Sequence, residues 1–99
     1  MDNVKPVPLT AQEVLGPEIL ATLDPGAVRL FMLVWQQMRS RNLGQVVMTA
    51  PDLTRRASLT PSTLLVAMRQ LVSERLMDVT ERHGVIVFRM IDEAPDTQS

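Results

Sequence analysis

The chain has 99 residues, one domain's length, and its core must be thin, because a chain of this size buries only about 60–70% of its unfolded surface. It contains no cysteine, which excludes disulfide staples and thiolate metal sites and makes a reducing cytoplasm the expected compartment. The net charge of −1 offers no overall attraction to a polyanion, yet the charge is uneven: eight arginines and His83 fall between Arg39 and Arg89 against Asp52, Glu74, Asp78 and Glu81, and the remaining acids sit nearer the ends.

Met1–Leu9 carries one Lys, two Pro and no apolar run, so it reads as a flexible tail rather than a signal peptide. Asp92–Ser99 reads as a flexible acidic tail, which leaves residues 10–91 as the domain. No apolar stretch approaches the roughly 18–20 residues of a membrane helix, so no membrane partner is expected. Thr10 caps a short helix through Val14 and Leu15, and Gly16-Pro17 interrupts it before a second short helix, Pro17–Leu23. Asp24-Pro25 then starts a long helix, with Asp as the N-cap and Pro in the first turn. This helix should run to about Asn42 or Leu43, with Gly44 ending it. Val28, Phe31, Met32, Trp35 and Met38 define one face, and Leu30, Leu33 and Val34 widen it until the first half is apolar nearly all round. Such a helix is buried on more than one side, as a domain's central helix or in a dimer interface.

Gln45–Met48 is a short β-prone run. Thr49 caps the next helix, Ala50–Ala57, with Asp52 in the capping-box position; Ala50, Leu53 and Ala57 should be buried and Arg55 and Arg56 exposed. Ser58-Leu59-Thr60 makes a tight turn, and Thr60-Pro61 opens a third helix that runs to about Arg75 over a core stripe of Leu64, Ala67, Met68 and Leu71. Leu76–Arg82 and Val85–Ile91 flank His83-Gly84 as a β-hairpin with a type I′ turn. That register sets Asp78 opposite Arg89 and aims Met77, Val79, Ile86, Phe88 and Met90 inward.

The order helix, short strand, helix, tight turn, helix, hairpin resembles a winged helix-turn-helix domain of the bacterial regulator type, over about Asp24 to Ile91. The resemblance is carried by Thr49-Ala-Pro-Asp-Leu-Thr-Arg-Arg-Ala-Ser-Leu-Thr-Pro-Ser-Thr-Leu and Met68-Arg-Gln-Leu-Val-Ser-Glu-Arg-Leu-Met. The first matches the family's Leu-Ala-x-x-x-Gly-x-Ser-x-x-Thr-Val turn, the second its Leu-x-x-x-Gly-Leu-Ile exit into the wing. It implies a mainly α fold with a small β-hairpin (α+β): three core helices, N-terminal short helices and a two- to three-stranded wing sheet. Ser58 and Arg75 stand where the family commonly has Gly at φ > 0, and Leu65 and Val66 where it commonly has polar or basic groups.

The resemblance also implies a mechanism, in which the third helix enters the major groove of double-stranded DNA. Ser62, Thr63, Arg69 and Gln70 would then meet base edges or backbone, and Leu65 or Val66 a thymine methyl. Thr60 would lie at the helix start, Arg55 and Arg56 would grip phosphate, and Arg82 and His83 would reach phosphate or the minor groove. A regulator of this kind acts as a homodimer on paired half-sites. Each residue also has a plainer reading. Arg55 and Arg56 can be a solvated face, Arg69 a partner of Glu74 or Ser73, His83 a turn residue, and Arg89 a partner of Asp78. Leu65 and Val66 suit a protein interface, and a protein-interaction module without DNA binding is the competing function. An enzyme is not expected, because the lone His has no paired nucleophile; nor is a cofactor or metal, given no Gly-rich phosphate loop and no metal-ligand spacing.

Overall fold

A computed structural model of the protein describes residues 10–91, so the two expected flexible tails, 1–9 and 92–99, lie outside the described residues. Within that span the chain folds as α+β, in the order α1 (Ala11–Leu15), α2 (Pro17–Thr22), α3 (Pro25–Arg41), β1 (Gln45–Thr49), α4 (Ala50–Ala57), α5 (Pro61–Ser73), β2 (Met77–Arg82) and β3 (Val85–Met90). No helix among the described residues is long and apolar enough to cross a membrane.

Side-chain caps set most of the helix starts. Thr10 Oγ1 accepts from the Glu13 N–H at 3.2 Å, and Glu13 Oε1 accepts from the Thr10 N–H at 2.8 Å, which closes a capping box over α1. Gly16 (φ +89°) then separates α1 from α2 in a conformation that a side chain would strain. Thr49 caps α4 by accepting from the Asp52 N–H at 3.3 Å. The expected reciprocal half of that box is absent, because the Asp52 carboxylate is ion-paired with Arg55 instead. Asp24 precedes α3 without a side-chain cap. Its own N–H donates to Gln70 Oε1 at 2.9 Å and so ties the start of α3 to α5.

The core is built on α3, α5 and one face of the sheet. Ala27, Leu30, Phe31, Val34 and Met38 of α3 are buried with Leu53, Leu64, Ala67 and Leu71 of α4 and α5. Val28, Met32 and Trp35, expected in the central stripe, are only half-buried and flank it. An all-round apolar helix has no phase of its own, so the stripe is fixed by α5, not by α3's pattern. Val14, Leu15 and Ile19 are half-buried against the same core. The helix ends at Arg41, with Asn42 rather than Gly44 in the left-handed conformation (φ 53°).

The sheet is antiparallel in the order β1-β3-β2. The β2–β3 register places Asp78 opposite Arg89 as expected, around a His83-Gly84 turn with φ of 54° and 81°. Met77, Ile86 and Phe88 are buried and Val79 is half-buried, but Met90, expected inward, is exposed. Met90 stands one residue beyond the last β1–β3 pair, Gln45–Arg89, so no β1 residue lies beside it.

The two departures from glycine have the backbone expected of glycine. Ser58 (φ 58°) and Arg75 (φ 59°) are both left-handed, where a non-glycine residue is disfavoured by about 1–2 kcal/mol. Arg75 therefore lies past the end of α5, at Ser73, rather than inside it. Ser58→Gly should raise the urea midpoint by the equivalent of about 0.5–1 kcal/mol at unchanged slope, after the entropy of the freed chain is subtracted. A lowered midpoint would mean that the Ser58 side chain makes contacts outweighing the backbone strain.

Candidate nucleic-acid interface

The sequence-predicted site residues lie along α4, α5 and the hairpin tip, and α5 is the element best placed to meet a ligand. Leu64, Ala67 and Leu71 bury one face of it, which leaves Ser62, Leu65, Val66, Arg69, Val72 and Ser73 exposed. At 100° per residue, Ser62, Arg69 and Ser73 form the crest opposite the core. Leu65 and Val72 fall on the flank toward the hairpin, and Val66, Thr63 and Gln70 on the flank toward α3.

The N-terminal turn of α5 is stiffened by its own hydroxyls. Thr60 Oγ1 accepts from the Thr63 N–H at 3.2 Å and Thr63 Oγ1 accepts from the Thr60 N–H at 2.8 Å, with the two hydroxyls 2.9 Å apart. Ser62 Oγ lies 3.3 Å from Thr60 Oγ1. Thr60 and Thr63 thus hold the helix end, and Ser62 is the hydroxyl that projects from it. Gln70 is half-buried and its carboxamide oxygen is bonded to Asp24, so it positions α5 on α3.

The turn before α5 is fastened by a residue that the sequence reading passed over. Arg29 of α3 donates from Nε to the Ala57 carbonyl at 3.0 Å and from a terminal nitrogen to the Ser58 carbonyl at 3.4 Å. It thereby satisfies carbonyls at the C-terminal end of α4. Next to it, a Cβ on Gly26 would approach Leu59 Cδ2 to 3.0 Å, so α3 sits hard against the turn. Arg29→Met should cost about 1–2 kcal/mol in urea unfolding, since it leaves two carbonyls without a charged donor. A loss below about 0.3 kcal/mol would show that water replaces the guanidinium there without penalty.

The arginines divide among three surfaces. Arg55 is exposed and paired with Asp52. Arg56 lies in a groove with Gln37 and Arg41 of α3 and the strand β1. Arg69 lines a cleft of about 330 Å³ between α5 and β2, with Met68, Val72, Ser73, Val79 and Glu81. That cleft shares Met68 and Glu81 with a second one, of about 420 Å³, which Leu65, Thr54, Pro51 and Ile86 help to line. Strand alternation carries Met77, Val79 and Glu81 to the helix side of β2 and Arg82, opposite Val85, to the other side. Glu81, not Arg82, therefore faces α5. The alternation that carries Met77 and Val79 inward carries Glu81 with them, opposite buried Ile86. Arg82 and His83 are exposed at the far end of the hairpin.

Among the described residues, no three His, Cys, Asp or Glu side chains gather where a metal ion could be held. Comparison with protein-family models, with curated proteins and with solved structures gives no match to this chain.

Proposed function

We propose that the chain is a winged helix-turn-helix regulator that binds double-stranded DNA through α5, with the hairpin as its wing. The observation that carries this reading is the exposed crest of α5, with Ser62, Arg69 and Ser73 presented above a rigidly capped N-terminal turn. The turn joining it to α4 is short and left-handed at Ser58, which holds the two helices at a fixed angle, as a reading helix requires. Arg82 and His83 at the hairpin end supply a second contact, to phosphate or the minor groove. One short helix reads too few bases for useful specificity, so the protein acts as a homodimer on paired half-sites. Nine arginines against seven carboxylates make residues 10–91 net positive, unlike the chain as a whole.

The test is a titration with mixed-sequence duplex DNA at stepped salt. Affinity should fall linearly on a log–log plot, with a slope of roughly −0.9 per phosphate neutralised. No binding at low salt would overturn the proposal.

A second reading, a protein-interaction module, is favoured by one specific observation. Leu65 and Val72 are each nearly half exposed, at 47% and 45%, and the clefts beside them are walled by Met68, Val79 and Ile86. Glu81 in the same clefts repels phosphate. Leu65→Ser distinguishes the readings: as a methyl contact in DNA it costs at most about tenfold, whereas at the centre of a protein interface it removes most of the binding.

A further inference from the structure

The two outer edges of the sheet are built differently. β2, on one edge, carries Asp78, Glu81 and Arg82, the kind of charges that keep other strands away from an edge. β1, on the other edge, is Gln45-Val-Val-Met-Thr, with no charge and no proline. Its central residue, Val47, is 53% exposed, more than any other large apolar side chain among the described residues.

The hairpin fixes which backbone groups the β1 edge offers. Around a two-residue turn the closing pair, Arg82 and Val85, exchanges both of its N–H···O bonds. Alternation then makes Thr80–Val87 a bonded pair as well, so Val87 directs its N–H and carbonyl to β2. Ile86 and Phe88 direct theirs to β1, where they meet Met48 and Val46. The N–H and carbonyl of Val47 therefore point away from β3, out of the free edge, with those of Gln45 and Thr49 on either side. Among the described residues, no backbone bond from another element reaches Val47.

We propose that this free edge pairs antiparallel with β1 of a second copy, centred on Val47, and joins the two three-stranded sheets into one. The strand has the same pattern in both directions: Gln45 and Thr49 exposed, Val46 and Met48 buried, Val47 in the middle. Pairing about Val47 sets Gln45 against Thr49 of the second copy and Val46 against its Met48, so inward residues meet inward residues. Val47 meets its own copy, N–H to carbonyl in both directions. The rims match as well. Arg41 precedes β1, Asp52 follows it, and both line the groove beside the strand. The antiparallel order brings Arg41 of each copy toward Asp52 of the other. Asp52 already holds Arg55, so this contact adds little and the strand bonds carry the joint. Both matches need the same sequence running the other way, which a second copy supplies.

α5 packs against β2, at the opposite edge of the sheet from β1, so the joint leaves its crest uncovered. The pairing stands on β1 alone. Only its use as the dimer that meets paired half-sites rests on the function proposed above.

Sedimentation and amide hydrogen exchange, both without DNA, test the pairing. A joint of five residues per strand is below the standard interface size, so the dimer should form between about 10 μM and 1 mM. The Val47 amide should exchange fast in dilute protein and slowly in concentrated protein, while the Val46 and Met48 amides, bonded to β3, stay protected throughout. Val47→Pro removes an N–H that β3 does not use, and Val47→Lys sets like charges face to face at the centre of the joint. Each should weaken the dimer at least about tenfold and leave the monomer folded. If the proline variant does not fold, the lysine variant decides alone. A chain still monomeric at about 1 mM, a dimer that survives both substitutions, or a Val47 amide protected in the dilute monomer overturns the pairing. The DNA titration reads the proposed function separately. If the dimer forms and no DNA binds, the regulator reading fails and the pairing stands; if DNA binds and no dimer forms, the pairing fails and the DNA contact stands.

Discussion

Phe88→Ala should lower the free energy of unfolding by about 3–5 kcal/mol, the largest effect expected of any single substitution in this chain. Phe88 is fully buried and sits in the central strand, paired with Val46 on β1 and Val79 on β2. Few residues are available to close around the void, because the core is one layer of helices against one sheet face. Marginal domains hold only about 5–15 kcal/mol in total, so the variant should be partly unfolded at room temperature. Urea unfolding followed by circular dichroism measures it, with Val79→Ala as the comparison. Val79 is half-buried at the edge of the same face and should cost about 1–2 kcal/mol. Equal losses at the two positions would contradict a core centred on β3.

The features legible in the sequence are local ones. Thr49 and Thr60 announce the starts of α4 and α5 because a hydroxyl at that position satisfies a specific N–H three residues on, whatever the rest of the chain does. His83-Gly84 fixes the hairpin register, and with it the Asp78–Arg89 pair, because a two-residue turn leaves the strands no freedom to slip. Ser58 and Arg75 were expected to be left-handed from the places they occupy in the pattern, and both are. The features that escaped are set by tertiary contact. The buried stripe of α3 depends on which apolar residues α5 meets, and period alone cannot choose among Leu30, Leu33 and Val34. Met90 satisfies the strand alternation and is still exposed, since alternation carries no information about where the covering elements stop. The bond from the Asp24 N–H to the Gln70 carboxamide oxygen spans 46 positions, and no local pattern announces it. The pairing of β1 with β3 and the groove along its free edge are likewise non-local.

The candidate site follows the same division. Position along α5 gives Ser62 and Arg69 as exposed, but Arg55, Arg56, Arg69 and Arg82, which a DNA reading needs on one face, fall on separate surfaces, and that scatter takes from the reading its main electrostatic support. What unites Arg56, Arg69 and Arg82, if they act together, is the size of the ligand and not their proximity. A duplex is about 20 Å across and extends over many phosphates, so it can touch a helix crest and a hairpin end that do not touch each other.

Arg69→Ala is therefore the decisive functional substitution. Arg69 is the one cation on the crest of α5, and a guanidinium there can fork onto a guanine or a phosphate. Losing a base contact costs about 1–3 kcal/mol, or roughly 5- to 150-fold in affinity, and relaxes preference at one base pair. Losing a phosphate contact weakens all sequences equally and reduces the salt slope by about 1. Arg55→Ala supplies the contrast. Arg55 is largely exposed and already paired with Asp52, so its removal gives up a screened charge whose worth is about 1 kcal/mol at most. Binding measured for both variants at stepped salt and on duplexes differing at single base pairs separates the possibilities, provided unfolding curves confirm that each variant is folded. Equal, small losses for the two variants would mean that DNA senses only net charge, and α5 would then lose its standing as the reading helix. A large loss at Arg69 alone ties recognition to the helix crest, because the two arginines carry the same charge and differ in where the fold puts them and in Arg55's pairing with Asp52.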